Sequence, residues 1–301
     1  MNKILILLST YNGEKYLPQQ IDSILNQYNV DVQILVRDDG SNDNTLYVLN
    51  SYANTEKIDI IKGDNIGVVG SFFSLMREAV TRDFNYFAFC DQDDVWMNDK
   101  LKVAVDILNG HQNVPVLYMS SFQMVDENLH SIPTNISRPN ISVEGAFASN
   151  CATGCTMVFN KKLLEKSLLS NYNDTLMHDY WMYMVCLLTG GCVYYDETPH
   201  IYYRQHGNNV IGGKGDGFLS KWLTRINKIF LPGDNFKSKF ASKLLVQYGD
   251  VITADKKEFL QDIANIKTLK SKWHLLRNRK FLTGSIDKKL QLIGLIITGK
   301  L

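Results

Sequence analysis

The feature that most constrains this chain is the alternation of short apolar runs with helix-like periods over its first 120 residues. Residues 3–9, 32–37, 58–61 and 86–90 read as strands, and 17–27, 42–51, 71–80 and 100–108 as helices, with a further strand at 116–120. Strand–helix repetition at this spacing predicts an α/β fold built on a mostly parallel sheet covered by helices. In such sheets ligands bind beyond the carboxyl ends of the strands, where polar loop residues gather. That rule is met four times, by 9–14, 38–43, 64–67 and 91–94.

Farther along, 152–160 reads as a strand crossing near the site, 179–188 as a buried helix opening on an acidic residue, and 194–203 as extended and aromatic-rich. Residues 207–217 hold five glycines and read as a loop or lid; 218–230, 237–248 and 256–275 look helical. The opening MNKILILLSTYNG reads as a buried strand, not a leader, because its apolar run covers only Ile4 to Leu8 and no small-residue cleavage site follows. No apolar segment is long enough to span a bilayer.

Charge divides the chain. Residues 1–213 carry 14 Lys and Arg against 24 Asp and Glu, whereas 214–301 carry 18 against 7. The sequence therefore predicts an acidic domain over 1–213 with a basic, mainly helical extension over 214–301. The five cysteines form no CxxC pair and no zinc-ligand spacing, so they read as buried thiols.

The chemistry is concentrated at two strand ends. Asp91-Gln92-Asp93-Asp94 follows the apolar strand 86–90. Strand-end aspartates one residue apart can divide between a divalent ion and a ribose, since hard cations take oxygen ligands and keep positions open for phosphates. A solvated acidic turn is the plainer alternative. Asp38-Asp39-Gly40-Ser41 follows the neighbouring strand. A carboxylate there can accept a pyrimidine imide N–H while Gly40 permits a sharp turn; a turn closed by an N-cap at Ser41 or Asn42 serves equally. Tyr11 can lie against a nucleobase or simply pack. Neither a GxGxxG fingerprint after strand one nor a Walker A sequence occurs.

Four segments in this order, Ser9-Thr10-Tyr11-Asn12-Gly13-Glu14, Arg37 to Asp43, Asp64-Asn65-Ile66-Gly67 and Asp91-Gln92-Asp93-Asp94, resemble the GT-A glycosyltransferases of family 2. The resemblance spans residues 3–212. It implies that Asp39 binds the pyrimidine, that Asp91 contacts the ribose, and that Asp93 coordinates Mn2+ or Mg2+. Thr10, Tyr11, Asn65 and Arg204 join the donor-binding set. His178-Asp179-Tyr180-Trp181 and Tyr203-Arg204-Gln205-His206-Gly207 are similar to bacterial rhamnosyltransferases of cell-surface polysaccharide synthesis, whose donor is dTDP-L-rhamnose. Two departures stand out: His-Asp replaces the usual Glu-Asp, and the Gln-x-x-Arg-Trp signature of processive synthases is absent.

The resemblance implies inverting transfer to a hydroxyl of a glycan acceptor, with Asp179 as general base. Its place at the start of an apolar helix predicts a lowered pKa and an ionised carboxylate. His206 is expected to complete the metal site with Asp93, and direct contact of His206 or Arg204 with the diphosphate is the rival. A UDP-hexose or UDP-N-acetylhexosamine donor, a sugar nucleotidyltransferase, and a non-catalytic nucleotide-sugar-binding protein are the competing functions.

In the extension, basic residues from Lys267 to Lys289 interleave with Trp273, Leu275, Leu276, Phe281, Leu282 and the apolar run 290–297. This pattern suits contact with an anionic membrane and a lipid-linked acceptor, for an enzyme at the cytoplasmic face of the cell membrane. No nucleic-acid-binding fold accompanies the basic patch; a homodimer contact or a helical bundle is the alternative.

Overall fold

The computed structural model describes residues 1–52, 56–111, 113–133, 138–169, 177–206 and 235–301. The expected lid at 207–217 and helix at 218–230 lie outside these residues. Eight strands form one sheet in the order β3-β2-β1-β4-β7-β6-β8-β5. They are β1 (Asn2–Thr10), β2 (Val30–Asp38), β3 (Ile58–Lys62), β4 (Tyr86–Cys90), β5 (Val95–Trp96), β6 (Val116–Val125), β7 (Val158–Asn160) and β8 (Cys192–Arg204). The pairings β1–β2, β1–β4, β2–β3 and β6–β8 are parallel; β7 runs antiparallel to β4 and β6, and β5 antiparallel to β8. Six strands thus point one way and bring their carboxyl ends to one edge. The α/β, mostly parallel architecture is the expected one.

Burial explains why these runs are strands. Ile4–Leu8 of β1 and all of β4 are buried, as central strands covered on both faces must be. Helices α1 (Leu17–Leu25), α2 (Thr45–Tyr52), α3 (Gly67–Ala79) and α4 (Lys100–Leu108) connect the strands and bury one apolar face each, Leu17, Ile21 and Ile24 in α1 for example. After α5 (Val143–Ala148) and α6 (Lys161–Ser167) comes α7 (His178–Leu188), whose Tyr180–Cys186 stretch is buried all round. A helix apolar on every side belongs inside a domain.

The chain divides into two compact units. The first holds Met1–Arg138, Ala152–Cys186 and Gly190–His206; the second holds Pro139–Cys151, Leu187–Thr189 and the described part of Gly207–Leu301. The second unit draws in α5 from mid-chain, which charge counting could not foresee. It adds α8 (Phe236–Tyr248), α9 (Ala254–Ala264), α10 (Leu269–Arg277) and α11 (Ile286–Thr298). Phe147, Phe240, Phe259 and Phe281 form its aromatic core, with ring centroids 5.4–5.9 Å apart. The stretch 256–275, expected as one helix, is two: Thr268 accepts the Ser271 N–H at 3.2 Å and starts α10 afresh.

Candidate active site

The parallel edge carries loops that brace one another. Gln92 holds the backbone of Tyr11 from both sides, its Oε1 accepting the Tyr11 N–H at 2.8 Å and its Nε2 donating to the Tyr11 carbonyl at 3.0 Å. A side chain at Gly13 would disturb this contact, because a Cβ there would sit 2.3 Å from Gln92 Oε1 and displace the amide. The Asn12, Gly13 and Glu14 N–H groups donate to Ser41, Thr45 and Asp43 side chains at 2.8–3.1 Å. Capping falls to residues other than Ser41 and Asn42. Asp38 accepts the Ser41 N–H at 3.0 Å, and Asp43 accepts the Thr45 N–H at 3.0 Å.

Within this frame the proposed donor residues divide. Tyr11 and Asn65 are exposed at the edge. Asp39 is buried, with Oδ1 accepting from Arg37 and the Ile66 N–H and Oδ2 accepting the Gly67 N–H at 2.9 Å. Oδ2 therefore retains acceptor capacity for one further donor. Thr10 turns inward instead, its buried hydroxyl donating to Asp38 Oδ2 at 3.2 Å.

Arg204 also departs from expectation. It is 2% exposed, and its Nε, Nη1 and Nη2 donate to the Asp93 carbonyl, the Glu127 carbonyl and Gln19 Oε1. Its own N–H donates to Asp94 Oδ1 at 3.1 Å. A guanidinium engaged in this way ties the loops at Asp93 and Glu127 to α1 and does not reach out to a diphosphate.

The two-residue strand β5 explains how distant residues meet. It pairs Val95 with Tyr202 and Trp96 with Ile201, clamping the exit of β4 to the end of β8. Asp93 Oδ2 and His206 Nε2 consequently lie 2.8 Å apart although 113 residues separate them. Tyr16 stacks on His206 at 5.1 Å, and the Arg204 guanidinium lies 4.5 Å from the Tyr16 ring, so the imidazole is held from behind.

This pair fits a divalent cation. Two ligands at about 2.1 Å from an ion and at right angles would stand about 3 Å apart, close to the observed separation. An oxygen–nitrogen donor set suits Mn2+. A second group, Asp91, Asp94 and Cys155, has ligand atoms within 4.8 Å of one another. It fits poorly, because burial and the neighbouring Asp94 and Asp91 carboxylates push the Cys155 thiol well above its usual range. A neutral thiol is no ligand for a hard cation.

Behind the edge the acidic groups carry raised pKa values. Burial, then the Asp93 and Asp179 charges, lifts Asp91 to about 7. Burial, then Asp93 and Asp91, lifts Asp94 well above the carboxylate range. Lys100 brings the compensating charge, buried against the Trp96 ring at 4.0 Å and lowered to about 8 by desolvation.

Asp179, 5% exposed, accepts the Gly154 N–H at 3.2 Å and the Tyr180 N–H at 2.6 Å. Its pKa is raised to about 6, the reverse of the sequence expectation: desolvation outweighs the lowering by backbone N–H groups at the helix start. His178 beside it stacks on Phe72 at 3.8 Å and meets the edge of Phe89 at 4.7 Å. Burial lowers it to about 3, so it is neutral. Gly154 matters for closeness, since a Cβ there would lie 2.9 Å from His178 Nε2. Gln92, Lys100 and Gly154 escaped the sequence reading; only Gln92 stood within a motif that could have flagged it.

The profile of Glycosyl transferase family 2 matches residues 5–168. The dTDP-rhamnosyl transferase RfbG of Shigella flexneri is 31% identical over 220 residues, covering 68% of this chain and 73% of its own. The Escherichia coli UDP-Glc:alpha-D-GlcNAc-diphosphoundecaprenol beta-1,3-glucosyltransferase WfgD is 25% identical over 60% of this chain and 68% of its own. Among solved structures, S. aureus TarS 1-349 in complex with UDP-GlcNAc superposes with a TM-score of 0.62 at 16% identity, covering 100% of this chain and 82% of that one. The last likeness bears on fold alone.

Proposed function

We propose, from the premise that this chain belongs to glycosyl transferase family 2, that it transfers L-rhamnose from dTDP-L-rhamnose, with inversion, to a glycan hydroxyl in cell-surface polysaccharide synthesis. The observation that carries the donor half of this reading is the Asp93–His206 pair at the carboxyl edge of the sheet. Asp93 and His206 would hold Mn2+ or Mg2+, which when bound neutralises charge on the departing diphosphate. Asp39 would accept the thymine imide N–H through its remaining Oδ2 capacity, Tyr11 and Asn65 would meet the base from the exposed side, and Asp91 would hydrogen-bond the ribose.

On the acceptor side, Asp179 would take the proton of the attacking hydroxyl as that oxygen bonds to the anomeric carbon and dTDP leaves from the opposite face. A base with a pKa of about 6 is ionised at neutral pH yet basic enough to accept a proton in the transition state. The two N–H groups on its carboxylate fix its orientation. The name of WfgD supports an acceptor carried on a lipid diphosphate and, as a second reading, a UDP-glucose donor.

A panel of nucleotide sugars with purified protein and Mn2+ tests the proposal. Release of dTDP from dTDP-L-rhamnose in the presence of acceptor is the expected outcome. Preferential UDP release would move the donor to the second reading. Release of pyrophosphate, or protection against heat unfolding without any turnover, would overturn the transferase assignment.

A further inference from the structure

The last two helices carry apolar surface that nothing among the described residues covers. In α11, Ile286, Leu290, Ile293 and Ile297 recur at intervals of four, three and four residues. At about 3.6 residues per turn they form one narrow stripe. Ile286 is 76% exposed, Leu290 61% and Ile297 59%. The residues that anchor the helix are different ones, Leu292 and Ile296, at 4% and 0%. In α10, Leu269 and Trp273 stand one turn apart at 85% and 60% exposure, while Leu275 is buried. The Arg277 guanidinium lies 5.3 Å from the Trp273 ring. Lys272 Nζ donates to the Ile297 carbonyl at 2.7 Å and so ties α10 to the end of the α11 stripe.

The surroundings of this surface are cationic. Residues 267–301 contain nine Lys and Arg and one acidic residue, Asp287. We propose that the α11 stripe, with Trp273, is a docking surface for an anionic lipid bilayer, its apolar side chains entering the headgroup boundary and the adjacent cations meeting lipid phosphates. Exposed apolar side chains with cations beside them, Arg277 at Trp273 and Lys289 next to Leu290, match the two components of such an interface. A second copy of the chain would set this excess of positive charge against an identical excess. A nucleic acid would engage the cations but leave the apolar stripe in water. No helix among the described residues is long and apolar enough to cross a membrane, so the contact is one of lying on the surface. The inference goes beyond the donor assignment and does not depend on it.

The full chain is sedimented with vesicles of phosphatidylcholine alone and of phosphatidylcholine mixed with phosphatidylglycerol, while tryptophan emission is recorded. The expected result is capture by the anionic vesicles, a shift of emission to shorter wavelength, and release as salt rises. The double variant Leu290→Gln with Ile297→Gln removes only exposed apolar groups and adds no charge. It should lower vesicle affinity at least about tenfold and leave the unfolding temperature and dTDP release unchanged. Equal capture of parent and variant, or no preference for the anionic lipid, overturns the proposal. So does a lipid-free dimer that the double variant dissociates, or capture of duplex RNA with none of vesicles.

Discussion

The two units of this protein use charge in opposite ways. At the sheet edge, Asp38, Asp39 and Asp179 are buried and held by named donors, and desolvation raises the pKa of Asp179 and, together with neighbouring carboxylates, that of Asp91. In α10 and α11 the charges lie on the surface among exposed apolar side chains. A buried, individually bonded charge acts by position, so one substitution should change chemistry. A surface array acts by sum, and its members should be nearly interchangeable.

The largest effect that would break this contrast is at Asp179. Asp179→Asn keeps the shape and should lower transfer by ~10²–10⁴-fold, while dTDP binding, followed by calorimetry, changes little. Intact turnover in that variant would remove Asp179 as the base. Transfer by the parent should also fall as pH drops through about 6.

The same carboxylate allows a stability test with a definite sign. Its folded-state value, about 6, lies above the ordinary aspartate value of 3.8. It therefore favours the folded state below about pH 4, and that contribution is lost as pH rises through 6. Asp179→Asn, neutral throughout, should unfold at a higher temperature than the parent at pH 8, with the gap closing toward pH 4. A constant gap would mean that folding does not raise the pKa of this carboxyl.

A middle-sized effect sharpens the comparison at His206. With dTDP saturating, His206→Ala should weaken Mn2+ binding by about tenfold or more, the scale of losing one contact in a metal site, and leave metal-free dTDP binding alone. Loss confined to metal-free nucleotide binding would instead make His206 a phosphate ligand. The smallest effect belongs to the surface array. Lys289→Gln should weaken binding to anionic vesicles by no more than about fivefold, since each basic residue near a bilayer contributes roughly 1 kcal/mol. Transfer to a soluble acceptor should be unaffected.

Much of the fold was legible because parallel strands leave a double signature: an apolar run, then a polar cluster. That signature located the edge and Asp39, Asp91 and Asp93 on it. The strand β5 left no trace, because two residues cannot show a period. Arg204 was misread since a sequence shows which donors exist but not which acceptors already hold them. Asp179 had its pKa direction reversed because the helix start is visible in sequence and the depth of burial is not. In the tail, Leu275, Phe281, Leu292 and Ile296 turned inward, leaving a stripe narrower than the apolar run had implied.

The clamp made by β5 also sets an order of events. Asp93 lies at the exit of β4, but its partner His206 arrives only with β8, after β6, β7 and α7 have been threaded between them. Closing so long a loop costs entropy that only later contacts recover, and contacts of high sequence separation form slowly. A chain emerging from the ribosome through residue 168 would hold β1 to β7, and with them Asp93, yet lack His206 as the second ligand for an ion. Because the pair exists only once β8 has docked, ion binding would favour the finished fold over every partly threaded form. Affinity for the metal would therefore report that synthesis and folding have both reached the far side of the sheet.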